Sequence, residues 1–167
     1  EFRRVLFRSY MLDISRDRVP TRATLERLVG LMHQARLNHL ELYIEHTFAY
    51  AAHGVVWAAA SPLDADDVHW LDELCAGVGI ELVANQNCFG HFERWLAHEQ
   101  YRPRAECPDG YEFLGGSTAA PSTLAPTPVN AAFVLDLLHE LLPNFSSRRV
   151  HIGCDEPFEL GLGASAA

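Results

Sequence analysis

The chain alternates short apolar segments with amphipathic segments, and this alternation limits its possible folds more than any other feature. Apolar segments of strand length occupy 10–15, 39–45, 80–84 and 149–154. Segments with apolar residues at helical spacing lie between them, at 20–34, 61–77 and 130–142. Strands that alternate with helices predict parallel pairing through helical crossovers. We therefore expect either an α/β barrel or an open doubly wound sheet.

Composition excludes several classes of function. The 167-residue chain has a formal charge of −9, which argues against a nucleic-acid partner. It contains no lysine, so lysine Schiff-base chemistry and the phosphate-binding P-loop are excluded. No G-x-G-x-x-G motif follows a strand, and no apolar run approaches the roughly 18 residues of a membrane span. The four cysteines lack a C-x-x-C pair and are predicted to be buried or inert rather than ligands of zinc.

Polar residues follow all four predicted strands. Arg16 follows the first, Glu45 and His46 the second, 85–91 the third, and Asp155-Glu156 the fourth. In a parallel α/β barrel the loops at the carboxyl ends of the strands form one face, where the chemistry of such enzymes is found. We therefore predict that these four loops form the mouth of a single site.

The adjacent carboxylates Asp155 and Glu156 are the sharpest feature of this predicted mouth. Two neighbouring carboxylates raise each other's pKa when they are partly desolvated, so that one can serve as a general acid near neutral pH. Neighbouring residues of an extended strand point to opposite faces, so both can reach one ligand only if the backbone bends there. The alternative is a solvated acidic turn.

Four short motifs, in order along the chain, carry a resemblance to a known family. They are Leu-Asp-Ile-Ser-Arg at 12–16, Arg-Leu-Asn at 36–38, Gly-His at 90–91 and His-Ile-Gly-Cys-Asp-Glu at 151–156. In this order and spacing the sequence resembles glycoside hydrolase family 20, the β-N-acetylhexosaminidases. The resemblance extends from about residue 10 to residue 163. It implies a (β/α)8 TIM-barrel fold of which only about the first four β/α units are present.

The resemblance also implies roles for individual residues in a retaining, substrate-assisted mechanism. Glu156 is expected to be the general acid and base, and Asp155 to hold the acetamido group of the substrate. The residues expected to contact the sugar are Arg16, Glu45, His46, Asn87 and His91. For Arg16 the alternative is an ion pair with Asp13 or Asp17, and for Asn87 it is a loop-capping role. The family has an aspartate-rich stretch where this chain has Glu45 and His46.

The expected partner is an oligosaccharide or glycoconjugate that contains N-acetylhexosamine, with no cofactor, no metal, no nucleic acid and no membrane. Residues 1–9 are interpreted as a non-native lead-in, 10–167 as the amino-terminal half of the barrel, and 101–129 as a long loop. The absence of a signal-peptide pattern favours a cytoplasmic protein.

Two other functions stay open on the sequence alone. One is a metal-dependent sugar isomerase or epimerase, since Glu45, His46, His91, Asp155 and Glu156 are types of residue that bind divalent ions. The other is a carbohydrate-binding protein without catalytic activity.

Overall fold

The computed structural model describes residues 8–16, 18–113 and 115–166. Six strands are formed: β1 (Ser9–Asp13), β2 (His39–Ile44), β3 (Glu81–Gln86), β4 (Tyr111–Phe113), β5 (Ser117–Ala119) and β6 (Val150–His151). Five α-helices are formed: α1 (Arg22–Gln34), α2 (Gly54–Trp57), α3 (Ala65–Gly77), α4 (Glu93–Leu96) and α5 (Pro128–Leu141). Most of the predicted lead-in, residues 1–7, lies outside the described residues. Ser9 belongs to β1, where it pairs with His39.

Four strands form a parallel sheet in the order β1-β2-β3-β6, so each strand pairs with the next one that joins the sheet. Helices α1, α3 and α5 lie in the connections between these strands. The predicted mixed α/β fold with a parallel sheet is therefore confirmed. Within the described part of the chain, no helix has both the length and the apolar character needed to cross a membrane.

The register separates an apolar face of the sheet from a polar one. Leu42 of β2 pairs with Leu12 and Ala84, and this row belongs to the main hydrophobic core. The next row pairs Tyr43 of β2 with Asp13 and Asn85. Because successive residues of a strand point to opposite faces, the polar row lies on the face opposite the core. The side chains of the candidate site described below lie on this polar face or continue it beyond the ends of the strands.

Side-chain caps begin the three long helices. The Thr21 and Thr127 side chains accept hydrogen bonds from backbone N–H groups at the starts of α1 and α5. Asp64 and Asp67 form a reciprocal capping box at the start of α3. Such caps satisfy N–H groups that have no partner within the helix. The predicted helices are confirmed, with starts that shift to the residue after each cap.

Residues 101–129 differ from the predicted loop without packed elements. The segment contains a 3-10 turn at Arg102–Arg104 and the antiparallel pair β4-β5. It is also tied to the end of the chain, because the buried carboxylate of Glu159 accepts hydrogen bonds from the backbone of Ser122 and Thr123. Proline and small polar residues predicted an unpacked loop, but 105–107 and 122–125 are buried.

Candidate active site

The structure brings together the residues that follow β1, β2, β3 and β6, and the His91 ring lies at their centre. Its Nε2 is 3.4 Å from Oδ2 of Asp155 and 3.3 Å from Oε2 of Glu156. Its Nδ1 is 3.8 Å from Oε1 of Glu45. One largely buried imidazole thus contacts three carboxylates from two different strand ends.

Both carboxylates of the Asp155-Glu156 pair reach His91 because the backbone bends after β6. The predicted strand 149–154 is shorter in the structure, where β6 ends at His151. Gly153, Cys154 and Glu156 then have positive φ angles of 64°, 73° and 51°. These left-handed conformations break the alternation that would send neighbouring side chains to opposite faces. The bend that the sequence argument required is present.

Two glycines allow the bent segment to approach the end of β3. A Cβ added to Gly90 would lie 2.3 Å from the carbonyl oxygen of Asp155. A Cβ added to Gly153 would lie 2.7 Å from Cγ of Asn87. Both distances are shorter than side chains tolerate, so glycine is required at each position. This close approach is the physical reason for glycine in the Gly90-His91 and His-x-Gly-x-Asp-Glu motifs.

Glu45 is buried and paired. Arg16 donates a hydrogen bond from Nη1 to Oε1 of Glu45, and the Tyr43 hydroxyl donates to the same oxygen at 2.9 Å. The guanidinium of Arg16 also lies 5.6 Å from the centre of the Tyr43 ring. Burial raises the pKa of Glu45 above its ordinary value, although Arg16, Tyr43 and His91 all act to lower it. The site therefore holds a carboxyl group that binds its proton more tightly than an exposed one.

The closest ion pair of Arg16 is therefore with Glu45. The predicted partner Asp13 is more distant, with its Oδ2 3.8 Å from Nε of Arg16. The predicted partner Asp17 lies outside the described residues. More than half of the Arg16 side chain is exposed, so its remaining donors can still face a ligand.

Asn87 differs from its predicted role as a substrate contact. The side chain is fully buried, and Nδ2 donates to Oδ1 of Asp155 at 2.9 Å and to the Tyr43 hydroxyl at 3.2 Å. Its Oδ1 accepts from the backbone N–H groups of Phe89 and Cys154. These contacts use both donors and both acceptor positions of the amide. Asn87 therefore holds Asp155 in place and directs no group toward a ligand.

Tyr43 is the functional residue that sequence reasoning missed. It connects Glu45 to Asn87 through its hydroxyl group, and Asn87 in turn connects to Asp155. A signal was available, because Tyr43 stands two residues before Glu45 and shares its strand face.

A second layer of side chains holds the backbone of Glu45. The carbonyl of Glu45 accepts hydrogen bonds from Nε1 of Trp95 at 2.9 Å and from Nε2 of Gln86 at 3.3 Å. The Tyr50 hydroxyl donates to Gln86 at 2.6 Å. Trp95 is itself buried among aromatic rings.

His46 differs from Glu45 in its position. A cavity of about 270 Å³ opens at the site and is lined by Ser15, Arg16, Glu45, His91, Glu93 and Arg94. His46 is buried and does not line this cavity. The prediction that it borders a sugar pocket therefore finds no support in the geometry, since adjacent residues at a strand end face opposite sides. A larger, mostly apolar groove of about 650 Å³ lies beside α5, and His91 does not line it.

Over residues 8–16, 18–113 and 115–166, no group of three or more histidine, cysteine, aspartate or glutamate side chains is arranged to hold a metal ion. The oxygen and nitrogen ligands expected for a metal-dependent isomerase are present in the sequence, but their arrangement does not favour a metal centre.

The chain is similar to known proteins in structure but not in sequence. No protein-family model matches the chain, and no curated protein matches it. Among solved structures, a Flavobacterium johnsoniae chitobiase superposes with a TM-score of 0.79 at 16% identity, covering 97% of this chain and 26% of that one. The fold is similar to that of glycoside hydrolase family 20.

Two further structures of glycoside hydrolase family 20 show the same similarity. An exo-β-N-acetylglucosaminidase from Vibrio harveyi, in complex with N-acetylglucosamine, has a TM-score of 0.77 at 15% identity, covering 96% of this chain and 29% of that one. The β-N-acetylhexosaminidase from Streptomyces coelicolor A3(2) has a TM-score of 0.74 at 24% identity, with 92% and 33% covered. The chain thus spans about a quarter to a third of the family 20 structures that it resembles.

Proposed function

We propose that this chain forms the amino-terminal half of a β-N-acetylhexosaminidase catalytic barrel, and that the complete barrel hydrolyses terminal non-reducing N-acetyl-β-hexosaminides. The observation that carries the proposal is the convergence of Asp155 and Glu156 on His91 at the carboxyl end of a parallel sheet. The similarity to family 20 structures supports it at the level of the fold. The sequential strand order supports a barrel, because each strand of a barrel pairs with the next β/α unit.

In the proposed mechanism the substrate supplies its own nucleophile. The acetamido oxygen on the second carbon of the sugar attacks the anomeric carbon, and the bond to the leaving oxygen breaks as Glu156 transfers its proton to that oxygen. The product of this step is a cyclic oxazolinium ion. Water then attacks the anomeric carbon from the opposite face, loses a proton to Glu156 and reopens the ring, so that the configuration is retained.

Asp155 stabilises the charge that develops on the acetamido group. Its carboxylate accepts a hydrogen bond from the acetamido N–H and interacts favourably with the positive charge of the oxazolinium ion. Asn87 holds one of its oxygens, Oδ1, and the other oxygen lies near His91. His91 lies between Glu156 and the buried Glu45, so its ring can hold the Glu156 carboxyl group in place while that group gives up its proton and takes it back.

The isolated chain supplies only one side of this site. More than half of the side chain is exposed for both Asp155 and Glu156, so the water exclusion that strengthens electrostatic catalysis is absent around them. We therefore propose that the chain needs the rest of the barrel for activity. The proposed substrate is an oligosaccharide or glycoconjugate that ends in N-acetylhexosamine.

The test uses the complete protein that contains this chain and a chromogenic N-acetyl-β-glucosaminide. Glu156→Gln should lower kcat by at least about 1,000-fold, because it removes the proton donor. The fold should be preserved, because the Glu156 side chain is exposed. Glu99→Gln changes another exposed glutamate outside the site and should leave kcat unchanged. Undiminished activity of Glu156→Gln would remove Glu156 from the acid role.

A second substrate tests the role of the acetamido group. The matching β-glucoside, which has a hydroxyl group in place of the acetamido group, should react far more slowly with the same protein. Equal rates on the two substrates would contradict substrate assistance. Binding of N-acetylglucosamine by the complete protein without any hydrolysis would favour the carbohydrate-binding function instead.

A further inference from the structure

A continuous path of hydrogen bonds joins the buried Glu45 to Asp155. The Tyr43 hydroxyl donates to Oε1 of Glu45 at 2.9 Å and accepts from Nδ2 of Asn87 at 3.2 Å. Nδ2 of Asn87 also donates to Oδ1 of Asp155 at 2.9 Å. Tyr43 and Asn87 are buried, so water has little access to the hydrogen bond between them.

The direction of each hydrogen bond in this path follows from the chemistry of the groups. A tyrosine hydroxyl has one hydrogen, and the Glu45 carboxylate accepts it. The hydroxyl oxygen can then only accept from Asn87, which requires that the NH₂ group and not the carbonyl oxygen of the amide faces Tyr43. With that orientation the second hydrogen of the NH₂ group points to Asp155. The Tyr43 hydroxyl therefore favours, together with the backbone N–H groups that donate to Oδ1, the amide orientation that lets Asn87 donate to Asp155.

We propose that Tyr43 is a positioning residue that acts through Asn87 to orient the Asp155 carboxylate toward the acetamido group. The inference rests on the proposed function for its catalytic consequence, while the positioning itself rests on the three hydrogen bonds. Tyr43 does not touch Asp155 and acts on its orientation through Asn87. Glu45, which accepts the hydrogen bond from the Tyr43 hydroxyl, thereby contributes to the position of Asp155 as well as to that of Arg16.

The hydroxyl group can be removed without removing the ring. Tyr43→Phe keeps the aromatic face on which the Arg16 guanidinium lies, 5.6 Å from the ring centre. A matched control is Tyr101→Phe, which removes the hydroxyl group of another buried tyrosine. That hydroxyl lies 2.6 Å from Nδ1 of His53, within an aromatic cluster and outside the site. Each variant removes one buried hydroxyl group and keeps the ring, so a difference between them in catalysis reports the site.

The first experiment compares kcat and KM of the complete protein and both variants on the chromogenic N-acetyl-β-glucosaminide. We expect Tyr43→Phe to lower kcat by about 10- to 100-fold, because a misplaced catalytic group loses rate on this scale. We expect Tyr101→Phe to retain the kcat of the unchanged protein. An equal kcat for the two variants, in a protein that does hydrolyse the substrate, would overturn the proposal.

The second experiment does not depend on activity. In the complete protein, NMR measures the hydrogen exchange of the Asn87 side-chain NH₂ group with water, and we expect Tyr43→Phe to accelerate it at least tenfold. Unchanged exchange would overturn the positioning role. If exchange accelerates in a protein that hydrolyses no N-acetylhexosaminide, the positioning role stands and the proposed function fails, so the two failures are distinguishable.

Discussion

The close approach of Gly90 to the backbone at 155–156 can be tested by adding a single methyl group. In Gly90→Ala the new Cβ would lie 2.3 Å from the carbonyl oxygen of Asp155, and 3.5 Å from the carbonyl carbons of Asp155 and Glu156. The nearest atom belongs to the backbone, so no side-chain rotation can relieve the overlap. The backbone at 155–156 and that of Gly90 must move apart.

The distances set the size of the expected effect. Ordinary van der Waals contact begins at 3.4 Å, so the carbonyl must move by roughly 1 Å. Overpacking of this kind destabilises proteins by about 1–3 kcal/mol. A displacement of about 1 Å at a catalytic group can cost about 100-fold in rate. We therefore expect Gly90→Ala to lose stability and to remove most of the hydrolytic activity proposed for the complete barrel.

Gly30→Ala is the matched control. Gly30 lies within α1, and a Cβ added there meets nothing within 4 Å. Alanine in a helix interior is more stable than glycine by about 0.5–1 kcal/mol, so this variant should gain stability. Urea denaturation of the chain measures both variants, and a crystal structure of Gly90→Ala shows the position of Asp155. The reasoning is refuted if Gly90→Ala is as stable as Gly30→Ala and leaves Asp155 in place.

Two further predictions concern titration and thiol reactivity. Burial raises the pKa of Glu159, so the folded state binds this proton more tightly than the unfolded chain. The stability that Glu159 contributes through this proton is therefore fully present below the unfolded pKa and is lost as pH rises through the folded pKa. Urea denaturation between about pH 4 and about pH 7 should therefore show a smaller loss of stability with rising pH in Glu159→Gln than in the unchanged chain. A thiol reagent should label the exposed Cys154 within minutes and the buried Cys75, whose pKa burial raises to about 12, only on unfolding. Equal labelling rates, measured by mass spectrometry, would contradict the burial of Cys75.

The sequence predicted the mouth of the site because parallel strands impose it. Once 39–45 and 80–84 are recognised as parallel strands, their carboxyl ends must lie at one edge of the sheet. In the structure His91 lies near Asp155 and Glu156, at the edge of the sheet where this rule places the mouth. The catalytic and binding roles of these residues stay predictions.

Hydrogen-bond partners across strands could not be predicted in the same way. Asn87 was expected to face substrate, but Tyr43, 44 residues earlier in the chain, and Asp155, 68 residues later, occupy its amide. Which polar groups of two strands meet depends on the register between them, and a one-residue shift would reverse every facing side chain. His46 is a different case, because strand alternation alone separates it from Glu45.

The candidate site is held largely by buried contacts to backbone atoms. The carbonyl of Glu45 is fixed by Trp95 and Gln86, and the segment before Asp155 is seated against the glycines that permit its approach. Many combinations of apolar residues can fill the core behind such a frame if volume and pattern are kept. A chain can therefore share its fold with family 20 structures at 15–24% identity. The positions most restricted by the frame are the glycines and the carboxylates, and these are the positions where the sequence motifs occur.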